Sequence, residues 1–148
     1  NASMVFGGID TGGRSIWCYD GESRSFFQME ASDIVMPLEG IWVYSRSNTL
    51  LPLAYLDDPI QSPAMKHLPA GWNAIGFSDI TPSAARDAFQ SVRDEWTIAI
   101  GFDASGQRYE SSIINGGSSG HSDTLPMYPG HGYWLFMREP GDLASIGA

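Results

Sequence analysis

Apolar and polar residues alternate in short runs along most of the chain, the period-2 pattern of half-buried strands, with turn-forming residues between the runs. Met4 to Ile9, apolar but broken by Gly7 and Gly8, predicts an opening strand, and Thr11-Gly12-Gly13 a turn. Ser15-Ile16-Trp17-Cys18-Tyr19 predicts a strand, Asp20-Gly21 a hairpin turn, and Arg24 to Met29 the return strand. Pro37 to Gly40 turns the chain into the strand Ile41-Trp42-Val43-Tyr44. Ser47-Asn48 then turns it into Leu50 to Tyr55, where Pro52 marks an edge strand or a bulge. Asp57 to Pro63 is expected as a loop, Ala64 to Leu68 as a short strand, and Trp72 to Phe77 as another after the Pro69-Ala70-Gly71 turn. Further on come Thr97 to Phe102, the Asp103-Ala104-Ser105-Gly106 turn, and Arg108 to Ile114. A Gly/Ser-rich loop over Asn115 to Ser122 separates these from Tyr133 to Met137 and Leu143 to Ile146.

The period changes once. Ala85, Phe89, Val92 and Trp96 recur at three- and four-residue spacing, which predicts one amphipathic helix over about 82–94. Thr81 is its expected N-cap, Pro82 suits the first turn, and Arg93 suits the negative end of the helix dipole. The fold class is therefore mainly β with a minor α component: an antiparallel β-sandwich or partly open barrel with one helix.

The strands also repeat. Tyr19-Asp20 matches Phe102-Asp103, and Phe26 matches Tyr109, each pair 83 positions apart. Pro37, Gly40 and Trp42 match Pro129, Gly132 and Trp134, each 92 positions apart. The nine-residue difference falls in the Gly/Ser loop, where an insertion costs least. Asn48-Thr49-Leu50 then corresponds to Gly141-Asp142-Leu143. The expectation is one compact domain, 1–148, built from two related halves: an incomplete first repeat over 1–56 and a complete second repeat over 64–148. In each repeat Trp faces one side of the aromatic strand, while Ile41 and Val43, or Tyr133 and Leu135, face the other. Trp42, Tyr44, Trp72, Tyr133 and Trp134 are thus either core anchors or a stacking platform for a ligand.

Charge narrows the partners. A net charge of -9, with Lys66 as the sole lysine, repels phosphate backbones and anionic lipid, which argues against nucleic acid. No apolar run approaches the ~20 residues that span a bilayer, so this segment is not expected to insert into a membrane. Cys18 is the single cysteine and forms no intrachain disulfide; it reads as a small buried hydrophobe. Asn1-Ala2-Ser3 fits a glycosylation sequon, making Asn1 a candidate modification site in an exported protein.

No active site is expected. His67, His121 and His131 lack the spacing of a zinc motif, and no segment carries a phosphate-loop lysine or a dinucleotide fingerprint. Ser119, His121 and Asp123 supply triad residue types, but clustering in one loop does not give the rigid geometry a triad needs. His131 has Glu39 as its counterpart in the first repeat, so that turn position does not require an imidazole. Asp57-Asp58 and the Asp20 and Asp103 turns offer oxygens to a hard cation, yet none follows the twelve-residue calcium loop. No cofactor, metal or catalytic residue is assigned.

Leu68-Pro69-Ala70-Gly71-Trp72-Asn73-Ala74-Ile75-Gly76 and Tyr128-Pro129-Gly130-His131-Gly132-Tyr133-Trp134 resemble a tandem repeat of exported surface proteins of archaea, especially methanogens, and some bacteria. The second half matches the whole pattern; the first matches only its later part, Trp17 to Tyr55. The resemblance implies an extracellular or cell-surface location and no enzyme chemistry. The expected function is a structural module of a surface layer, sheath or filament, acting by self-association with other copies or neighbouring surface proteins. The alternative is an adhesive or carbohydrate-binding module that presents exposed aromatics to glycans.

Overall fold

A computed structural model of the chain describes residues 1–52 and 62–145. The protein is mostly β, with several antiparallel sheets, two short helices and no closed barrel among the described residues, a β-sandwich-like α+β arrangement. Helix α1 (Ala2–Phe6) leads into β1 (Ile16–Asp20), β2 (Ser25–Met29) and β3 (Ile41–Trp42), which form a sheet in the order β2-β1-β3. Then come β4 (Met65–Leu68), β5 (Gly71–Gly76), β6 (Ser83–Ala84) and α2 (Ala85–Ala88). The chain continues through β7 (Trp96–Asp103), β8 (Arg108–Tyr109), β9 (Ile113–Ile114), β10 (Pro126–Met127), β11 (Gly132–Met137) and β12 (Gly141–Ala144). The larger sheet runs β5-β11-β7-β8 with β9 also on β7, while β12 pairs with β4 and β10 with β6.

Two expectations are corrected. Met4 to Ile9 is not a strand: Ala2–Phe6 is helical, because the Asn1 side chain accepts from Met4 N–H (3.1 Å) as an N-cap and buries Ala2 and Phe6 on one face. The helix expected over 82–94 shrinks to Ala85–Ala88 and a 3-10 turn at Gln90–Val92. Ser83 and Ala84 are extended and pair with Met127 and Pro126, so Ala84, not Thr81, precedes the helix. The apolar stripe is still buried, although Trp96 opens β7 instead of closing the helix. Smaller differences follow the same logic. Strand geometry covers only Ile41–Trp42 of the run to Tyr44, and β8 and β9 divide the Arg108 to Ile114 return. Residues 50–52 form no strand, and the rest of that expected strand, with most of the Asp57 to Pro63 loop, lies outside the described residues.

The two halves share backbone geometry in detail. Trp17↔Trp42 and Cys18↔Ile41 pair in the first sheet, and Ile100↔Trp134 and Gly101↔Tyr133 pair in the second, the same register at separations of 83 and 92. Tyr19↔Phe26 and Phe102↔Tyr109 repeat the hairpin. Arg24 and Gln107 both take positive φ (54° and 49°), as do Leu38 and Gly130 (63° and 73°). Ala2 and Ser3 donate to Asp33 O and Ala31 O, and Ala85 and Arg86 donate to Leu125 O and Asp123 O. Helix α1 thus stands where α2 stands. The cores match as well: Phe6, Ile9, Val35, Ile41, Val43 and Leu51 take the places of Phe89, Val92, Met127, Tyr133, Leu135 and Leu143. By this burial Leu51, not Leu50, is the counterpart of Leu143; Leu50 is 96% exposed.

The halves join at β5. Ile75 bridges to Glu39, and Gly76 N–H donates to Leu38 O (3.0 Å). Lys66 reaches across the same junction to Glu39 (3.4 Å) and Ala74 O (3.3 Å). A Cβ on Gly40 would lie 2.6 Å from Ile75 N, and one on Gly76 would lie 2.8 Å from Glu39 O. Both glycines are there to let backbones approach. Gly40→Ala and Gly76→Ala are expected to lose ~1–3 kcal/mol in urea denaturation, the usual cost of overpacking. Gly132→Ala, whose Cβ would meet Ile75 O at an ordinary 3.7 Å, is expected to be neutral.

Candidate functional site

The junction between the halves is aromatic. One face of β1 and β2 carries Tyr19 and Phe26, and the facing side of β7 and β11 carries Ile98, Ile100, Phe102, Trp134 and Phe136. This follows from period 2 in strands whose other face fills the core with Ala99, Tyr133, Leu135 and Met137. Trp134 meets Tyr19 (centroids 4.9 Å, 78° between planes) and Phe26 (6.0 Å, 84°), both from the first half. Reciprocally, Trp42 of the first half meets Phe102 of the second (5.1 Å, 64°). The two indoles lie 6.3 Å apart. Edge-on packing of this kind aligns the positive ring edge with the negative ring face.

Beside this junction lies an open cleft of about 310 Å³ lined by Tyr19, Trp72, Ile100, Tyr109 and Trp134. Trp72 and Tyr109 are exposed at its rim, and Trp72 also packs edge-on against Phe136 (5.1 Å, 77°). The cleft offers apolar faces and two phenol hydroxyls, which suits stacking and dispersion rather than proton transfer.

The expected aromatics separate into different environments. Trp42 and Trp134 are half-buried at the junction, and Trp72 stands at the cleft rim. Tyr44 is 43% exposed on the first half, with the Arg14 guanidinium 3.9 Å above its ring. Tyr133 lies in the core, where its hydroxyl accepts from Tyr128 N–H (2.9 Å) and burial pushes the phenol up to about 12. Asn1 caps α1, accepting from Ser3 Oγ (3.0 Å) as well as Met4 N–H. Tyr19 and Tyr109 enter the sequence analysis only as matched repeat positions and Ile100 not as a site residue; the pairing of Tyr19 with Phe26 and of Phe102 with Tyr109 in the β1 and β7 hairpins is the signal that places them at the cleft.

The chemical candidates disperse. His121 Nδ1 contacts Ser112 O (2.7 Å), whereas Asp123 accepts from Gly116 N–H (3.0 Å), so the Ser119, His121 and Asp123 types form no relay. His131 is exposed beside the Tyr128 and Tyr133 rings, and His67 pairs with Asp142 at 2.8 Å on the β4–β12 surface. Asp20 and Asp103 are turned onto their own hairpins, accepting from the hydroxyl and backbone of Ser23 and Ser105 respectively. The Ser23 hydroxyl and the Glu22 N–H hold the Asp20 carboxyl below its usual range, and the Gly106 N–H, followed by the Ser105 hydroxyl, does the same for Asp103. Among the described residues, no group of three or more His, Cys, Asp or Glu is gathered to hold a metal ion. No helix among them is long and apolar enough to cross a membrane. No family model, curated protein or solved structure matches the chain.

Cys18 is fully buried, and burial, followed by the Glu39 carboxylate, pushes its thiol up from 9.0 to about 11. The folded state holds the Cys18 and Tyr133 protons more tightly than the unfolded state does. Their contribution is full below the ordinary values of 9.0 and 10.0 and is lost as pH rises through about 11 and about 12. Urea midpoints are expected to fall steeply over that window, and Ellman's reagent to react with Cys18 only after unfolding. A double-mutant cycle of Tyr19→Ala and Trp134→Ala is expected to show a coupling of ~0.5–1.5 kcal/mol across the halves.

Proposed function

We propose that the chain is a non-enzymatic structural module of an extracellular layer, sheath or filament, acting by self-association. The observation that carries this reading is the unequal pairing of the two halves. β11 is paired along its length on both sides, by β5 and β7, whereas among the described residues β3 pairs with β1 over two residues and has no ladder on its other side, where the turn before it meets β5 through the Glu39–Ile75 bridge and the Leu38–Gly76 hydrogen bond. An open strand edge recruits another chain. The resemblance of the Gly-Trp-Asn and Gly-Tyr-Trp segments to surface-protein repeats supports the extracellular setting. The acidic surface sets the condition: copies at a net charge of -9 repel one another until salt screens them.

A second reading, glycan binding, is favoured by the cleft between Tyr19, Trp72, Tyr109 and Trp134. Aromatic walls of this kind stack on the apolar faces of sugar rings. The rings meet edge-on here and form no coplanar platform among the described residues, so assembly takes precedence.

Negative-stain microscopy and sedimentation across ~0.05–1 M salt separate the two readings. Ordered oligomers or polymers that grow with salt and protein concentration are expected. A monodisperse monomer at every salt concentration that binds a glycan array, with binding abolished by Trp72→Ala, would replace assembly with glycan recognition.

A further inference from the structure

Among the described residues, the core of the first half is closed on fewer sides than that of the second. Its buried and half-buried side chains have counterparts in the larger core, apart from Cys18, which stands where the second half has Gly101. The larger core additionally holds Leu68, Ile75 and Phe77, which come from β4, β5 and the residue after β5, together with Leu38 and with Trp96 and Met137, whose counterparts are Gly13 and Ser45. The described residues of the first half provide no equivalent hairpin. The consequence is graded burial: Leu135 and Leu143 are 0% and 2% exposed, while their counterparts Val43 and Leu51 are only half-buried.

The backbone is open at the same place. In the second half β5 covers the edge of β11, and β4 covers β12. The matching edges in the first half are those of β3 with Val43 and Tyr44, and of Thr49 to Leu51; neither is covered among the described residues. Where Phe136 packs against Trp72 at 5.1 Å, its counterpart Tyr44 carries the Arg14 guanidinium on its ring and meets no aromatic ring among the described residues.

We propose that the first half is an acceptor for a β-hairpin of the β4–β5 type, donated by a neighbouring module. The donor is defined by chemistry that the second half displays. It needs an extended strand with a buried aliphatic at the Ile75 position and a Trp at the Trp72 position to pack on Tyr44. It also needs a preceding strand with a buried Leu like Leu68, and a turn closed as Asn73 closes it, by donating from Nδ2 to Pro69 O (2.9 Å) and Gly71 O (3.1 Å). The inference rests on the assembly reading in taking its donor from a neighbour, and it names the segment through which that neighbour is held.

The test supplies the hairpin covalently. A copy of residues 64–83 is fused directly ahead of Asn1, which stands where the second half has Ala84, so the connection to the helix keeps its native length. Amide exchange of Val43, Tyr44 and Thr49 to Leu51 is expected to slow more than about tenfold, and the thermal midpoint to rise by ~5 °C or more. Ile75→Asp in the fused copy alone is expected to abolish both effects. Unchanged exchange in the fusion overturns the proposal, as does equal protection by the Ile75→Asp copy. If the unfused chain protects the same amides at high concentration while dimerising, the occupant is a second copy paired edge to edge, and the hairpin proposal falls. Polymers by microscopy without protection in the fusion retain the assembly reading and sink the hairpin. Protection in a chain that never associates does the reverse.

Discussion

The close approach of Gly40 and Gly76 at the junction decides how the rest of the molecule is arranged. Without a Cβ at either position, the turn before β3 lies against β5, and Leu38 O takes the Gly76 N–H. With the Glu39–Ile75 bridge and the Lys66 contacts beside it, that approach sets the first sheet against the second. It brings Trp42 to Phe102 and Trp134 to Tyr19, so that each half supplies an indole to the other's hairpin. Dispersion and apolar burial then hold what the glycines permit. The cleft beside Trp72 follows from the same geometry, since it is the part of the aromatic face that the first sheet does not cover.

Much of this was legible in the sequence, and the reasons are specific. The separations of 83 and 92 between matched residues carry strand register, because period 2 locks side-chain face to sequence position. The matched turns followed from Asp20 and Asp103, whose side chains cap their own hairpins. What was missed has a physical cause. Asn1-Ala2-Ser3 satisfies both a sequon and a helix N-cap, and with Gly7 and Gly8 nearby the apolar run looked extended; the buried pair Ala2 and Phe6, four apart, was the helical signal. The second helix is shorter than its periodicity predicts because Ser83 and Ala84 are claimed by Met127 and Pro126, residues more than forty positions away. Local propensity cannot see that claim.

The candidate site was legible only in residue type. Trp42, Trp72 and Trp134 all sit on strands whose two faces are both apolar, so periodicity could not say which face is wet. Tertiary contact distributes them: one face of β7 and β11 closes over α2 and its core, while the other meets the first sheet only in part. Tyr133 illustrates the difference. It neighbours Trp134 in sequence, yet it is buried with its hydroxyl satisfied by Tyr128 N–H, whereas Trp134 faces the junction.

The departure from symmetry at Leu38 shows how far the two halves have diverged in role. Leu38 and Gly130 occupy the same turn position with φ of 63° and 73°. A glycine adopts that conformation freely, whereas a leucine bears a cost of ~1–2 kcal/mol there. Leu38 nevertheless inserts into the second half's core beside Ile75 and Phe77, leaving 7% of its surface exposed. Burying a leucine contributes ~1.5–3 kcal/mol, enough to offset the strain. The reciprocal side chain is absent, because Gly130 has none to place. A leucine there would meet a half whose described residues include no hairpin of the β4–β5 type and so form no walled pocket to receive it. The second half accepts a side chain from the first, and among the described residues the first half receives none in return.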